Sequence, residues 1–279
     1  IFSLYWPLAL ATVALYQPAR AWLFTGPFLD KVTGLFLFGV DWRVSSVTYP
    51  VSYFGCTVPG LEQAWSLGIE LTFYLLAPWL LRSWRAALIL MVASFALRGA
   101  VAWTGGWHPV WNYTAFPGAL VFFLLGHFAR VVGDAWSWVR SKRTGLVLTA
   151  ACFTLSALTP LRALEGAFFW ATVFLFAAAI PGLFSATRNV RPLNLLGDLS
   201  YPVYLVHGLV IKAFVVFSAG LIALLPKLGG WPITLIYFFT VVAVAVAAHL
   251  AVERPMDAAM TSALARFRAT RLRSRAVPT

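Results

Sequence analysis

The sequence predicts an all-α fold: a polytopic transmembrane helical bundle of about eight spans. Composition is the first reason. Of 279 residues, 61% are hydrophobic and only 11% charged, where a soluble domain is nearer half apolar and a quarter charged. The second reason is length: apolar runs of about 17–25 residues recur along the chain, and such a run crosses the hydrocarbon core as a helix. The short alternating segments of a β-barrel are not visible. The third is charge placement, because Lys and Arg gather at every second connection, the positive-inside pattern. Together these exclude a soluble globular domain.

The spans read at 1–16, 64–82, 85–103, 115–133, 144–160, 166–184, 195–217 and 232–252. The chain opens at Ile1, inside an apolar run, with neither Met nor a signal-peptide pattern, so a preceding segment is expected to lie outside this sequence. Residues 17–63 read as one large outer loop, a length often tied to function. Within it, 28–42 is apolar only from Val32 to Val40, and Asp30, Lys31 and Asp41 flank it closely. That is short for a span and reads as a re-entrant or interfacial helix.

Arg82, Ser83 and Arg85 make a basic turn, and Gly105, Gly106, His108 and Pro109 a turn without fixed positive charge. Arg140, Lys142 and Arg143 make the next basic connection. Arg162 and Glu165 cancel in the one after, Arg188 and Arg191 are basic again, and 226–232 carries only Lys227. The 82–85, 134–143 and 185–194 loops and the C-terminal tail are therefore expected in the cytoplasm. Seven segments joined by short links predict one bundle. Residues 1–253 read as the membrane domain and 254–279 as a basic tail.

The net charge of +12 is concentrated in that tail, at Arg254, Arg266, Arg268, Arg271, Arg273 and Arg275. In a membrane protein this sets topology and attracts anionic lipid headgroups; nucleic acid is not an expected partner. Cys56 reads as a loop residue and Cys152 as a span residue, so neither a disulfide nor a metal site is expected. No G-x-S-x-G elbow, HExxH or Walker loop is present.

A charge at membrane depth costs about 2.5–3.5 kcal/mol and needs a reason. Glu70 and Arg98 fall at matched depths of roughly 8–9 Å on consecutive antiparallel spans. They predict an ion pair, either a functional carboxylate with its cation or a structural pair that fixes helix register. His207 lies near the midplane, on one helical face with Ser200 and Tyr204. It reads equally as a site residue or a hydrogen-bonded bundle histidine. His127, after Gly126, reads as packing, and His249 as a solvated residue near the inner interface.

Trp65-Ser66-Leu67-Gly68-Ile69-Glu70-Leu71-Thr72-Phe73-Tyr74-Leu75-Leu76-Ala77-Pro78 resembles the Trp-Ser-Leu-x-x-Glu-x-x-Phe-Tyr-Leu-x-x-Pro signature of the acyltransferase-3 family of bacterial membrane acyltransferases. Leu196-Gly197-Asp198-Leu199-Ser200-Tyr201-Pro202-Val203-Tyr204-Leu205-Val206-His207 is similar to that family's Leu-Gly-x-x-Ser-Tyr-x-x-Tyr-Leu-x-His segment. Glu253-Arg254-Pro255, Pro117 to Gly126 and Leu4-Tyr5-Trp6-Pro7 are weaker likenesses in the same order. The family core has about ten spans, so the resemblance implies that its first two precede Ile1. With them would go the family's proposed catalytic His and Arg motifs.

The resemblance implies transfer of an acyl group, usually acetyl, from acyl-CoA to a hydroxyl of an extracytoplasmic polysaccharide, lipopolysaccharide or other glycan. The expected setting is the bacterial inner membrane, with acyl-CoA as a donor substrate rather than a tightly bound cofactor. It implies catalytic roles for Glu70, His207, Arg98 and Tyr204, and acceptor contacts from Trp65, Ser66, Tyr74, Ser200 and Tyr201. The polyanionic donor would meet the basic inner loops at Arg140, Lys142, Arg143, Arg188 and Arg191. The rival reading is a transporter whose Glu, Arg and His mark a proton or substrate track. Neither an inverted repeat nor paired broken helices supports it.

Overall fold

With no water in the hydrocarbon core, backbone N–H and C=O groups must pair within their own segment, so long apolar runs fold as helices. The computed structural model describes residues 2–46, 57–105, 110–158, 166–217 and 230–275. Every regular element among them is helical. They are α1 (Phe2–Leu15), α2 (Gln17–Thr25), α3 (Phe28–Phe36), α4 (Val40–Ser46), α5 (Trp65–Leu80) and α6 (Trp84–Gly105). Then come α7 (Phe116–Ala135), α8 (Lys142–Leu158), α9 (Ala167–Thr187), α10 (Arg191–Phe217), α11 (Gly230–Ala248) and α12 (Arg254–Arg275). Two π-turns, Val110–Thr114 and His249–Glu253, lead into α7 and α12.

Eight of these helices coincide with the eight predicted runs, but among the described residues four stretches are long and apolar enough to cross a membrane. These are Trp84–Gly105, Val110–Ala135, Ala167–Thr187 and Trp231–Phe267. Over the described residues α1, α5 and α8 have 14, 16 and 17 residues and are shorter than these four. The 27 residues of α10 include Arg191, Asp198 and Lys212. Cys56 and the connections at 106–109, 159–165 and 218–229, with the expectations placed on them, lie outside the described residues.

The stretch 28–42 does not form one helix. It breaks at Leu37 and Gly39, both at positive φ (60° and 73°), which separates α3 from α4. At about 1.5 Å per residue, the nine residues of α3 cover less than half of the hydrocarbon thickness. A branched residue at positive φ is strained. Leu37 is nonetheless fully buried, and its turn rests on Gly68 of α5. A Cβ at Gly68 would lie 2.6 Å from the Leu37 carbonyl oxygen and would overlap the Val40 side chain. Glycine in the Trp-Ser-Leu-Gly-Ile-Glu segment is therefore what admits the Leu37–Val40 turn against α5.

The chain divides into two compact units. One comprises residues 1–31, 58–63 and 197–279; the other comprises 32–57 and 64–196. In the first, Val206 and Val210 of α10 pack on Val241 and Ala245 of α11, with Leu8 of α1 against them. In the second, Ile69 and Phe73 of α5, Ala87 of α6 and Phe116, Leu120 and Leu124 of α7 form one cluster. Val121 and Leu125 of α7 form another with Trp170 and Ala177 of α9. Apolar lipid tails give such helices no hydrophobic drive to associate, so close packing and polar contacts hold them together.

Candidate functional site

In the second unit, α6 is hooked to α7 by two residues one turn apart. Ser94 donates its hydroxyl to the Pro117 carbonyl at 2.6 Å and accepts the Val121 N–H at 3.0 Å. It thus inserts into the first turn of α7. Arg98 donates from Nη1 to the next carbonyl, Gly118, at 3.0 Å. Its guanidinium lies 4.8 Å from the Phe122 ring centroid and 5.6 Å from that of Trp170. Arg98 is only 3% exposed. A carbonyl dipole and two ring faces are a physical answer to holding a cation at that depth.

The ion pair expected between Glu70 and Arg98 is not formed: no salt bridge joins them among the described residues. The reason is where the guanidinium is spent, on α7 and α9. The two residues still share a cavity of about 490 Å³. Its polar lining is Ser66, Glu70, Arg98, Asn112 and Tyr113, and its walls include Trp65, Phe122, Phe123 and Phe169. Ser66 and Glu70 are one turn apart on α5, so one face presents both. The volume and the few polar groups on apolar walls suit a small-molecule site.

Asn112 and Tyr113 escaped the sequence reading. They come from the π-turn Val110–Thr114, whose short length gives no periodicity to read. π-Turns recur at functional sites. The turn approaches α7 so closely that a Cβ at Gly118 would overlap the Trp111 carbonyl. It delivers the Tyr113 ring to 4.8 Å from that of Trp65. It also packs against α4, where Asp41 is fully buried. Burial pushes the Asp41 carboxyl above the usual carboxylate range. The backbone N–H groups of Trp42 and Phe116, and its own, oppose that shift.

The other predicted residues separate into distinct places. Tyr74 is 58% exposed and does not line the cavity. Tyr204, His207, Ser200 and Tyr201 belong to the first unit. There Tyr204 donates its hydroxyl to the Gln63 carbonyl, so in this structure that proton is not free for an oxyanion. His207 Nδ1 lies 2.6 Å from the Tyr204 carbonyl. A carbonyl only accepts, so Nδ1 carries a proton and donates it to Tyr204. Tyr237 donates to the His207 carbonyl at 3.2 Å. Gln63 also donates to the carbonyls of Leu205 and Tyr204, at 2.7 and 3.3 Å. The exposed Ser200 donates locally to Gly197.

Lys212, which no motif in the sequence singles out, pairs with Glu62 and lies 5.6 Å from the Tyr16 ring centroid. His249 is not solvated as expected but 8% exposed, with Nδ1 at 2.7 Å from Glu253 Oε2 across the second π-turn. His127 is half-buried with its ring edge-on to Phe128, in keeping with packing. Cys152 is free and buried. Arg140 pairs with Asp134 at 3.3 Å, while Lys142, Arg143, Arg188 and Arg191 are exposed at helix ends. Among the described residues no cluster of His, Cys, Asp or Glu has metal-binding geometry.

No curated protein and no solved structure matches the chain. The sequence model of the acyltransferase domain of the acyltransferase-3 family, however, matches residues 1–250. That is most of the 279-residue chain, and it spans both the Glu70 segment and the Tyr204–His207 segment. With its apolar helices, the chain is an integral membrane protein that belongs to the acyltransferase-3 family.

Proposed function

We propose that the protein transfers an acyl group, acetyl foremost, from acyl-CoA to a hydroxyl of an extracytoplasmic glycan or glycolipid, in a bacterial inner membrane. The observation that carries this reading is the cavity in which a carboxylate, a buried guanidinium and aromatic walls converge. In the reaction the acceptor oxygen attacks the thioester carbonyl, the C–S bond breaks, and CoA leaves as the thiol with the proton the acceptor has lost. Glu70 is the carboxylate that lines the cavity; it hydrogen-bonds the acceptor hydroxyl and orients it. Arg98, held rigidly by Gly118, Phe122 and Trp170, supports negative charge that develops on the carbonyl oxygen. The Trp65–Tyr113 ring pair offers apolar faces to a sugar, and Ser66 and Asn112 offer hydrogen bonds to its hydroxyls.

The exposed cations Arg188 and Arg191 suit the phosphates of CoA. In this reading α1, α5, α8 and α10 also cross the membrane, beside the four longer stretches. The test is reconstitution of the complete protein in vesicles with radiolabelled acetyl-CoA on the side of the basic loops. The expected result is covalent label on glycan on the opposite side. Passage of an unmodified solute with no covalent label would replace the enzyme by a transporter.

A further inference from the structure

A second cavity, of about 240 Å³, lies between α7, α8 and α9 at the end of the bundle where cations gather. Its walls are apolar throughout, including Phe128, Val132, Trp138, Phe174, Ala178 and Pro181. It shares no lining residue with the cavity around Glu70 and Arg98. Apart from the indole N–H groups of Trp136 and Trp138, no polar side chain lines it to hold a sugar or a nucleotide, so the space suits hydrocarbon. Its rim is different. Residues 130–143 carry Arg130, Arg140, Lys142 and Arg143 against one acid, Asp134.

Arg140 belongs to the mouth of the slot. A Cβ placed on Gly133 would lie 2.6 Å from Pro181 Cβ and 3.5 Å from Arg140 Cγ, so the arginine stem runs beside a wall residue. Asp134 is shared by Arg130 and Arg140 at 3.8 and 3.3 Å, which leaves the rim with an excess of positive charge. Trp136 and Trp138 stack on each other (centroids 6.1 Å apart, planes at 24°) and are 57% and 61% exposed. Exposed tryptophans of this kind mark the headgroup level of a bilayer.

We propose that this slot holds one acyl chain of an anionic phospholipid whose headgroup phosphate sits on the Arg140–Lys142–Arg143 rim. An apolar slot between helices, a basic rim and an aromatic belt in one place are the chemistry that recognises such a lipid. A free phosphate compound such as acyl-CoA can satisfy the rim but not the slot, and that separates the two sources.

The test is native mass spectrometry of the complete protein, released from detergent after titration with phosphatidylglycerol or phosphatidylcholine. Wild type should retain one phosphatidylglycerol, bound about fivefold more tightly than phosphatidylcholine, the equivalent of about 1 kcal/mol from one cation near the headgroup. Ala178→Phe fills the slot from an exposed position and should abolish retention of either lipid. Arg140→Gln should bring phosphatidylglycerol down to the phosphatidylcholine level. Leu148→Phe, also on the wall, serves if the first variant folds poorly by its thermal transition. Equal retention by wild type and the slot-filled variants overturns the proposal, as does equal retention of the two lipids, which would indicate annular lipid only. Displacement of the lipid by acetyl-CoA would assign the rim to a free phosphate and also overturn it.

Discussion

Replacement of Arg98 tests how a cation is held inside this bundle. Arg98→Leu removes one charged hydrogen bond, worth about 1.5–3 kcal/mol. It also removes two cation–ring contacts of about 0.5–2 kcal/mol each. Against this, it lifts the cost of keeping a charge at membrane depth, about 2.5–3.5 kcal/mol. The net loss should be small, about 1–2 kcal/mol. Arg98→Lys keeps the charge, but a point ammonium cannot reach the Gly118 carbonyl and lie flat against Phe122 and Trp170 together. The milder-looking substitution should therefore destabilise more than Leu. Both are measured as unfolding in detergent, followed by tryptophan fluorescence. Transfer activity of the complete protein should fall by roughly 100-fold with Leu if the cation stabilises a developing oxyanion. A Leu variant that loses more than about 4 kcal/mol would mean that a buried carboxylate had been stranded without its cation. That result would refute the assignment of Gly118 and the rings as its partners.

Gly68→Ala gains about 1 kcal/mol of helix propensity but must displace a carbonyl oxygen 2.6 Å away; overpacking costs about 1–3 kcal/mol, so the thermal transition should fall. Ser94→Ala should cost about 1 kcal/mol, because Val121 loses the acceptor that Ser94 places in the α7 ladder; an unchanged transition would show that Pro117 takes over. Asp41 binds its proton more tightly folded than unfolded, so its contribution is fully present below the ordinary carboxylate value of about 3.9 and is lost as pH rises through the higher folded value. Asp41→Asn should therefore raise stability at neutral pH, with the gain vanishing in acid; a gain independent of pH would remove the carboxyl as its source.

The helices were legible because lipid demands long apolar runs, and each run from 64 onward became one helix. Glu70 and Arg98 were legible one by one, since a charge in such a run stands out. Their pairing was not, because depth along two helices says nothing about which way each side chain turns. The carbonyl that holds Arg98 is backbone, and backbone is silent in a sequence. Asn112 and Tyr113 arrive on a five-residue π-turn, too short for any period. Lys212 hides among Ile211, Ala213 and Phe214, with its partner Glu62 150 positions away. His249 looked solvated from its place near the end of a run; burial depends on the packing of α1 against its π-turn.

The central claim is that Glu70 acts on the acceptor hydroxyl in the cavity it shares with Arg98. Glu70→Gln in the complete protein tests it most directly, with yield and acetyl transfer from labelled acetyl-CoA recorded on the same preparations. Because Arg98 has Gly118, Phe122 and Trp170 as partners, loss of the Glu70 charge strands nothing, and yield should match wild type. Gln keeps the size and can still donate and accept hydrogen bonds, but it lacks the charge that strengthens the bond orienting the acceptor hydroxyl. Normal yield with transfer reduced by roughly 100-fold or more is the expected result. Normal yield with wild-type turnover per molecule would contradict it and remove Glu70 from the chemistry.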